Sequence, residues 1–290
     1  MKGIVVGVDR SAAARAAAQW ALAEGLRRGR PVTAVNAWVD PVTAGYPIAV
    51  AMEERAEAVA SAALATAQEV LKEATDAVPA ADGVDAHAVA VRGAPAAVLT
   101  EASRDADLVV VGTRGHGALS RAVLGSVSGS LLHHAHAPVA VVPEPRAPGR
   151  RPARVVVGVD HSPAAAAALE WAARAAAARG AVLVPVLVRE PTWRLDSPPG
   201  ALSASLAQLE ENERSALRAA VPAELAVRVE PEVVPGHAAA ALLHLVEPQD
   251  LLVVGSRGRG GFTGLLLGST STSVAQHAPC PVVVVRSAAG

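Results

Sequence analysis

The sequence contains one pattern written twice, and a chain built this way folds as two copies of one unit. "IVVGVDRSAAARAAAQWALAEGLRRG" begins at Ile4 and "VVVGVDHSPAAAAALEWAARAAAARG" begins at Val155. Gly7, Asp9, Ser11, Trp20 and Gly29 return as Gly158, Asp160, Ser162, Trp171 and Gly180, at a constant offset of 151. Farther on, Gly112, Gly115, Gly125 and Pro138 return as Gly255, Gly258, Gly268 and Pro281, at an offset of 143. The second copy is therefore eight residues shorter in its middle (151 minus 143), and the loop over 41–52, before the long helix, is the expected place. Between the copies, residues 143–153 read "PEPRAPGRRPA". Four prolines, one glycine and three arginines make no regular element, so this stretch is the connection. The expected division is a first domain over 1–143, a linker over 144–153 and a second domain over 154–290.

Each copy alternates β-rich and helix-rich segments. In the first, strands are expected over 3–8, 32–37, 84–91, 108–111 and 139–142, and helices over 12–28, 53–75, 94–104 and 126–134. The strands are continuous Val/Ile runs without polar alternation, the mark of strands buried on both faces. Five such strands alternating with helices predict an α/β fold: two tandem doubly wound five-stranded parallel sheets, each of strand order 3-2-1-4-5.

Composition narrows the function. A net charge of −1 leaves no electrostatic footprint for nucleic acid, and 2% aromatic residues leave little to stack on bases. The one cysteine, Cys280, excludes an intrachain disulfide and a Cys-rich metal site. The N-terminus enters a strand at once, with Asp9 too early for a signal-peptide core. The most apolar long stretch, 163–188, is interrupted by Glu170, Arg174 and Arg179 and is no membrane span. A soluble cytoplasmic protein is expected.

In sheets of this order, ligands bind beyond the carboxyl ends of the strands, where the winding reverses between strands one and four. Asp9 follows strand one there, after Gly7; Asp160 follows Gly158 in the second copy. Strand four runs into Gly112-x2-Gly115-x9-Gly125-Ser126, repeated as Gly255-x2-Gly258-x9-Gly268-Ser269, with Gly117 and Gly260 also inside the loops. Glycines permit φ > 0 and close backbone approach to a ligand. Gly-Ser opens a helix, so unpaired N–H groups and the positive dipole end point at one place. Ser126 and Ser128, and Ser269, Thr270 and Ser271, can add hydroxyl donors, and Arg114 and Arg257 a nearby charge. There is no Gly-Lys-Ser/Thr, so this is an anion cradle built from backbone rather than lysine. The plainer reading is that the glycines make turns and the serines cap helices; the identical spacing in two copies argues against it. The aspartates could cap the following helix, unless Ser11 and Ser162 do so.

Other residues read as structural. In "HHAH" (His133, His134, His136) only His134 recurs, as His277, and no carboxylate or cysteine completes a metal set. Histidines there suit a helix C-terminus. Cys280, Trp20 and Trp171 read as packing, and Glu210, Glu211 and Glu213 as a solvated helix face.

"VVVGVDxS" starts, the G-x2-G-x9-G-S/T loop and a last strand reading "APVAVV" or "CPVVVV" resemble the universal stress protein family over nearly the whole chain. The resemblance implies an adenine-nucleotide-binding, Rossmann-like fold with ATP as ligand; Mg²⁺ use stays open, since Mg²⁺ often accompanies ATP but the sequence shows no dedicated carboxylate pair. By position, Asp9 and Asp160 would touch the nucleotide, and Ala37 and Val188 would lie against adenine. Gly112, Gly115, Gly125, Ser126 and Val127 would hold ribose and phosphates, as would Gly255, Gly258, Gly268, Ser269 and Thr270. It also implies that the last strands, over 139–142 and 282–285, join the two copies; because that pairing surface occurs twice per chain, a homodimer is expected. Two functions compete: a regulatory module that binds ATP and signals to a protein partner, and a slow ATP hydrolase or other ATP-using enzyme. The only base evident in the glycine loops is His116, replaced by Arg259 in the second copy, which favours the binding module. A dehydrogenase would need G-x-G-x-x-G after strand one, which is absent.

Overall fold

The valine runs form the strands. A computed structural model describes residues 1–39, 49–113, 124–147, 153–189, 199–258 and 267–287. The chain divides into two compact units, Met1–Pro145 and Arg146–Gly290. The first runs β1 (Ile4–Gly7), α1 (Ala12–Arg28), β2 (Val32–Trp38), α2 (Ala49–Ala77), β3 (Ala86–Arg92), α3 (Pro95–Ala102), β4 (Leu108–Gly112), α4 (Ser126–His134) and β5 (Val139–Val142). The second runs β6 (Arg154–Val159), α5 (Pro163–Arg179), β7 (Val182–Arg189), α6 (Pro199–Ala219), β8 (Glu232–Pro235), α7 (Ala238–Leu245), β9 (Leu251–Gly255), α8 (Ser269–His277) and β10 (Val282–Val285).

Within the first unit the strands lie in the order β3-β2-β1-β4-β5, and within the second β8-β7-β6-β9-β10. Both follow the expected 3-2-1-4-5 order, and the strand pairings within each unit are parallel. Register is kept as well as order. Ile4 lies opposite Val32 and Leu108; its counterpart Val155 lies opposite Leu183 and Leu251. The central strands are buried on both faces, with Ile4, Val5, Val6, Val109, Val155, Val156 and Val253 fully inaccessible.

The helices start and stop where their chemistry directs. Ser11 caps α1 by accepting from the Ala14 amide, and Ser162 caps α5 by accepting from the Ala165 amide. Both helices end on a left-handed glycine, Gly29 (φ 58°) and Gly180 (φ 59°), which closes the last carbonyls without a Cβ penalty. The interior of α1 is mostly alanine, with Ala13, Ala14, Ala16, Ala17, Ala18 and Ala21 buried. Small side chains bring the helix axis close to the sheet.

The eight-residue difference between the copies does not lie in the loop before the long helix. β2 and β7 end at the 151 offset, at Trp38 and Arg189, and nine-residue α4 and α8 follow the 143 offset. Between them α2 has 29 residues and α6 has 21, so the helix itself is shortened, by about two turns. Helix α2 begins earlier than its polar sequence predicts, at Ala49, and β3 begins later, at Ala86, because Ala81–Gly83 coils into a 3₁₀ turn.

At the end of β4 and of β9 the first helix of the unit lies directly on a glycine. A Cβ on Gly112 would stand 2.7 Å from the carbonyl carbon of Ala13; one on Gly255 would stand 2.7 Å from that of Ala164 and 2.9 Å from its oxygen. These are backbone atoms of the first helical turn and cannot swing aside. Gly255→Ala is therefore expected to destabilise the second unit by about 1–3 kcal/mol, the usual range for overpacking. Urea denaturation measures this as a lower midpoint with an unchanged m-value.

Candidate functional site

The site is built from two neighbouring strand ends. β1 pairs with β4 and β6 with β9, so the turn after the first strand and the loop after the fourth leave the sheet side by side. In the turn, Asp9 Oδ1 accepts the Ser11 amide at 2.9 Å, and Asp160 Oδ1 accepts the Ser162 amide at 3.0 Å. The serines, not the aspartates, cap the helices. Each aspartate braces the capping serine with one oxygen, and both aspartates are half-buried at the carboxyl edge.

In the second unit, turn and loop touch. Ser162 Oγ donates to the Arg257 carbonyl at 3.3 Å, and a Cβ on Gly258 would lie 2.5 Å from Asp160 Oδ2. The Gly-Val-Asp turn and the glycine loop thus face one crevice, with Asp160 against the loop backbone. Arg257 and Gly258 are themselves exposed. Arg114, Gly115, Gly117 and Gly260, with His116 and Arg259, lie outside the described residues.

Both loops are closed at the base. The Gly125 amide donates to the Thr113 carbonyl at 2.9 Å, and the Gly268 amide to the Ser256 carbonyl at 2.8 Å. Ser128 Oγ donates to the carbonyls of Thr113 (3.2 Å) and Gly125 (3.0 Å), and Ser271 Oγ to the Gly255 carbonyl at 2.6 Å. Ser128 and Ser271 are buried. These two hydroxyls, expected as ligand donors, are instead the staples that hold the loop base to the helix. Ser126 and Ser269, one residue past the cap, are exposed, and Val127 and Thr270 are half-buried.

Gly125 and Gly268 are the N-caps of α4 and α8, with φ of −62° and −77°, and neither helix has a side-chain cap. The expectation of φ > 0 at these glycines is wrong: any L-residue could adopt this backbone. Packing does not demand glycine at 268 either, since a Cβ there would meet nothing nearer than 3.5 Å. Gly112 and Gly255 are the opposite case, glycine because a helix sits on them. Gly7 and Gly158 underlie Leu99 and Leu242, whose methyls would stand 2.6 Å and 3.0 Å from an added Cβ.

Ala37 and Val188 are half-buried, one residue before the ends of β2 and β7. What flanks them differs. Beyond Ala37 stands Trp38, with the Arg92 guanidinium 6.0 Å from its ring centroid. Beyond Val188 stands Arg189, in a 2.7 Å ion pair with Glu213, so that carboxylate is turned inward rather than solvated. In the first unit alone, Asn36 Nδ2 donates to the Val8 carbonyl at 3.0 Å across the strand ends.

Sequence reasoning missed Arg286, the first residue after β10. Half-buried beside the loop base, its guanidinium has a pKa pulled below the ordinary value, first by burial and then by the like charge of Arg257. The available clue was the repeat itself, which places Pro143 at the equivalent position.

The profile of the universal stress protein family matches residues 1–143 and 153–286. The chain belongs to the universal stress protein family. A universal stress protein of Mycolicibacterium smegmatis is 37% identical over 296 residues, covering 98% of this chain and 97% of the relative. One of Mycobacterium tuberculosis is 35% identical over 300 residues, covering 98% and 95%. Among solved structures, a universal stress protein of Archaeoglobus fulgidus superposes with a TM-score of 0.60 at 23% identity, covering 98% of this chain and 96% of that one, a likeness of fold. The tandem arrangement of two universal stress protein units therefore spans whole relatives, not a fragment of them.

Several side chains stay structural in this universal stress protein. Among the described residues, no three His, Cys, Asp or Glu gather as a metal site, and no helix is long and apolar enough to cross a membrane. His134 Nδ1 lies 3.0 Å from the Ser130 carbonyl and His277 Nδ1 2.9 Å from that of Ser273, each in the last turn of its helix. Trp20 and Trp171 are half-buried rather than core. Cys280 is fully buried, and burial, with the Asp250 charge as a second cause, pushes its thiol from 9.0 up to about 12. The folded thiol keeps its proton where the unfolded one loses it, so its contribution to stability falls as pH rises from about 9 toward 12. At pH about 8 a disulfide reagent should leave native Cys280 unmodified and react fully once denaturant is added; fast reaction of the native protein would contradict its burial.

Proposed function

We propose that each unit holds one ATP at the carboxyl edge of its sheet, and that the protein is a regulatory nucleotide-binding module acting through conformation or a protein partner. The observation that carries this reading is a contrast inside each unit. Helices α1 and α5 are capped by serine side chains, whereas α4 and α8 begin on bare glycine at the base of a closed loop. The first-turn amides and positive dipole ends of α4 and α8 are thus left for an anion. Gly268 supports the same reading. Neither its φ nor its packing requires glycine, and a side chain would occupy the space over those amides.

In this reading Ser126, Val127, Ser269 and Thr270 line the phosphates, with the loop glycines and Arg114 and Arg257 around them. Asp9 and Asp160 face the sugar and phosphates from the opposite wall, and Ala37 and Val188 back the adenine. The described residues offer one carboxylate per site, so Mg²⁺ would enter on the phosphates rather than in a protein cage. Backbone amides and hydroxyls that hold the ground state equally well give affinity rather than turnover. Action in the cytoplasm and assembly as a homodimer belong to the same reading, the first from the sequence's lack of a signal-peptide core or apolar span and the second from the last-strand pairing the family resemblance implies.

Titration calorimetry tests it. ATP should bind at two sites per chain, Gly125→Val and Gly268→Val should each remove one, and the double variant should bind none while keeping its fold. A non-hydrolysable analogue should titrate with the same stoichiometry. Two intact sites in the double variant would refute the cradle.

A further inference from the structure

The turns that carry Asp9 and Asp160 make the same bonds on different backbones. Each aspartate accepts the amide of its capping serine, and the caps match, Ser11 at φ −75° and ψ 154° and Ser162 at φ −77° and ψ 158°. The residue between aspartate and serine does not match. His161 has a φ of 61°; among the described residues Ala80 is the only other non-glycine residue of positive φ, so Arg10 in the first unit is not one. A left-handed L-residue brings its Cβ against the following carbonyl oxygen, and such strain lasts only while its surroundings hold it.

The first turn is relaxed and also braced. Arg15 Nη1 donates to the Arg10 carbonyl at 3.1 Å, and its Nε pairs with Glu73 of α2 at 2.7 Å. In the second unit the position of Arg15 is taken by Ala166, which has no side chain to reach back. The strained turn is tied instead to the glycine loop, with the Ser162 hydroxyl on the Arg257 carbonyl and Asp160 against Gly258. At 3.3 Å that hydroxyl bond is longer than an ordinary O–H···O bond and correspondingly weak. Strain that opposes the assembled turn and a weak bond that favours it leave two backbone states close in energy.

We infer that the turn between β6 and α5 is a two-state hinge at residue 161. With His161 left-handed, Asp160 and Ser162 meet the loop and the second crevice is assembled. With residue 161 relaxed to negative φ, that wall parts from the loop. A nucleotide bridging wall and loop favours the first state, so filling the second site sets the backbone at residue 161, whereas the first site is preformed. The inference rests on the nucleotide reading above and locates the element whose conformation reports occupancy. His161 is a positioning residue that acts through its backbone, and its imidazole is not required.

Hydrogen exchange and calorimetry on the full chain test it, the second unit's site being the one lost in Gly268→Val. In the assembled turn the Ser162, Ala165 and Ala166 amides are bonded to Asp160 Oδ1, Ser162 Oγ and the Ser162 carbonyl. Segment 160–166 should therefore exchange faster than segment 9–15 without nucleotide, and ATP should bring it down to a similar rate. His161→Val should weaken ATP at the second site about tenfold, because a β-branched residue is a true outlier at positive φ. His161→Gly should bind ATP at least as tightly as wild type, and Arg10→Val should leave the first site within about twofold. The first unit's site, unchanged, shows that the His161 variants are folded. Equal exchange of the two segments without nucleotide, ATP affinity within about twofold of wild type in His161→Val, or an equal loss in His161→Gly overturns the hinge and leaves the nucleotide reading standing. If His161→Val fails to fold, the wild-type exchange comparison decides alone. A wild-type chain that binds no ATP overturns the nucleotide reading and the coupling with it.

Discussion

Each unit is organised around the contact of its first helix with the glycine that ends its fourth strand. Because Gly112 and Gly255 carry no Cβ, the first turns of α1 and α5 lie directly on those strand ends, with backbone atoms of Ala13 and Ala164 where a side chain would be. A methyl group there would push the helix off the sheet. It would also part the two walls of the crevice, since the same turn carries Asp160 and Ser162, and Ser162 reaches the loop through its bond to the Arg257 carbonyl. The packing demand and the site geometry are one constraint. The buried alanines of α1 serve it too, since larger side chains would hold the axis too far from the sheet.

The two copies keep this frame and vary its rim. Strand order, register, serine caps, left-handed C-terminal glycines and the stapled loop base recur. The changes fall at the carboxyl edge of each sheet. Trp38 with Arg92 becomes Arg189 with Glu213, Asn36 becomes Leu187, and Pro143 becomes Arg286. The frame carries the folding energy, because continuous valine runs buried on both faces are the main apolar burial of each unit. The rim residues are half-buried or exposed and could diverge at little cost to that burial.

Sheet order and the position of the crevice were legible because both follow from local pattern: buried strands, alternating helices, and glycine loops at strand ends. What was not legible depends on three-dimensional neighbours. Spacing marks Gly255 and Gly268 alike, yet a Cβ on one would strike the first turn of a helix and a Cβ on the other would meet nothing nearer than 3.5 Å. Ser128 and Ser271 read as donors for a ligand until their burial turns them toward carbonyls. The shortened α6 could not be told from a shortened loop, because an exposed helix and a polar loop share a composition. Arg286 is invisible in isolation; only the pairing of β10 with β9 brings it beside Arg257.

The central claim is that the bare helix N-termini hold adenine nucleotide, one per unit. The most direct measurement is to denature purified, ATP-equilibrated and desalted protein and quantify the small molecules released by mass spectrometry. The account predicts adenine nucleotide at about two per chain, recovered largely as ATP, as expected for contacts that favour the ground state. Recovery of no adenine nucleotide, with no binding of added ATP at millimolar concentration, would contradict it.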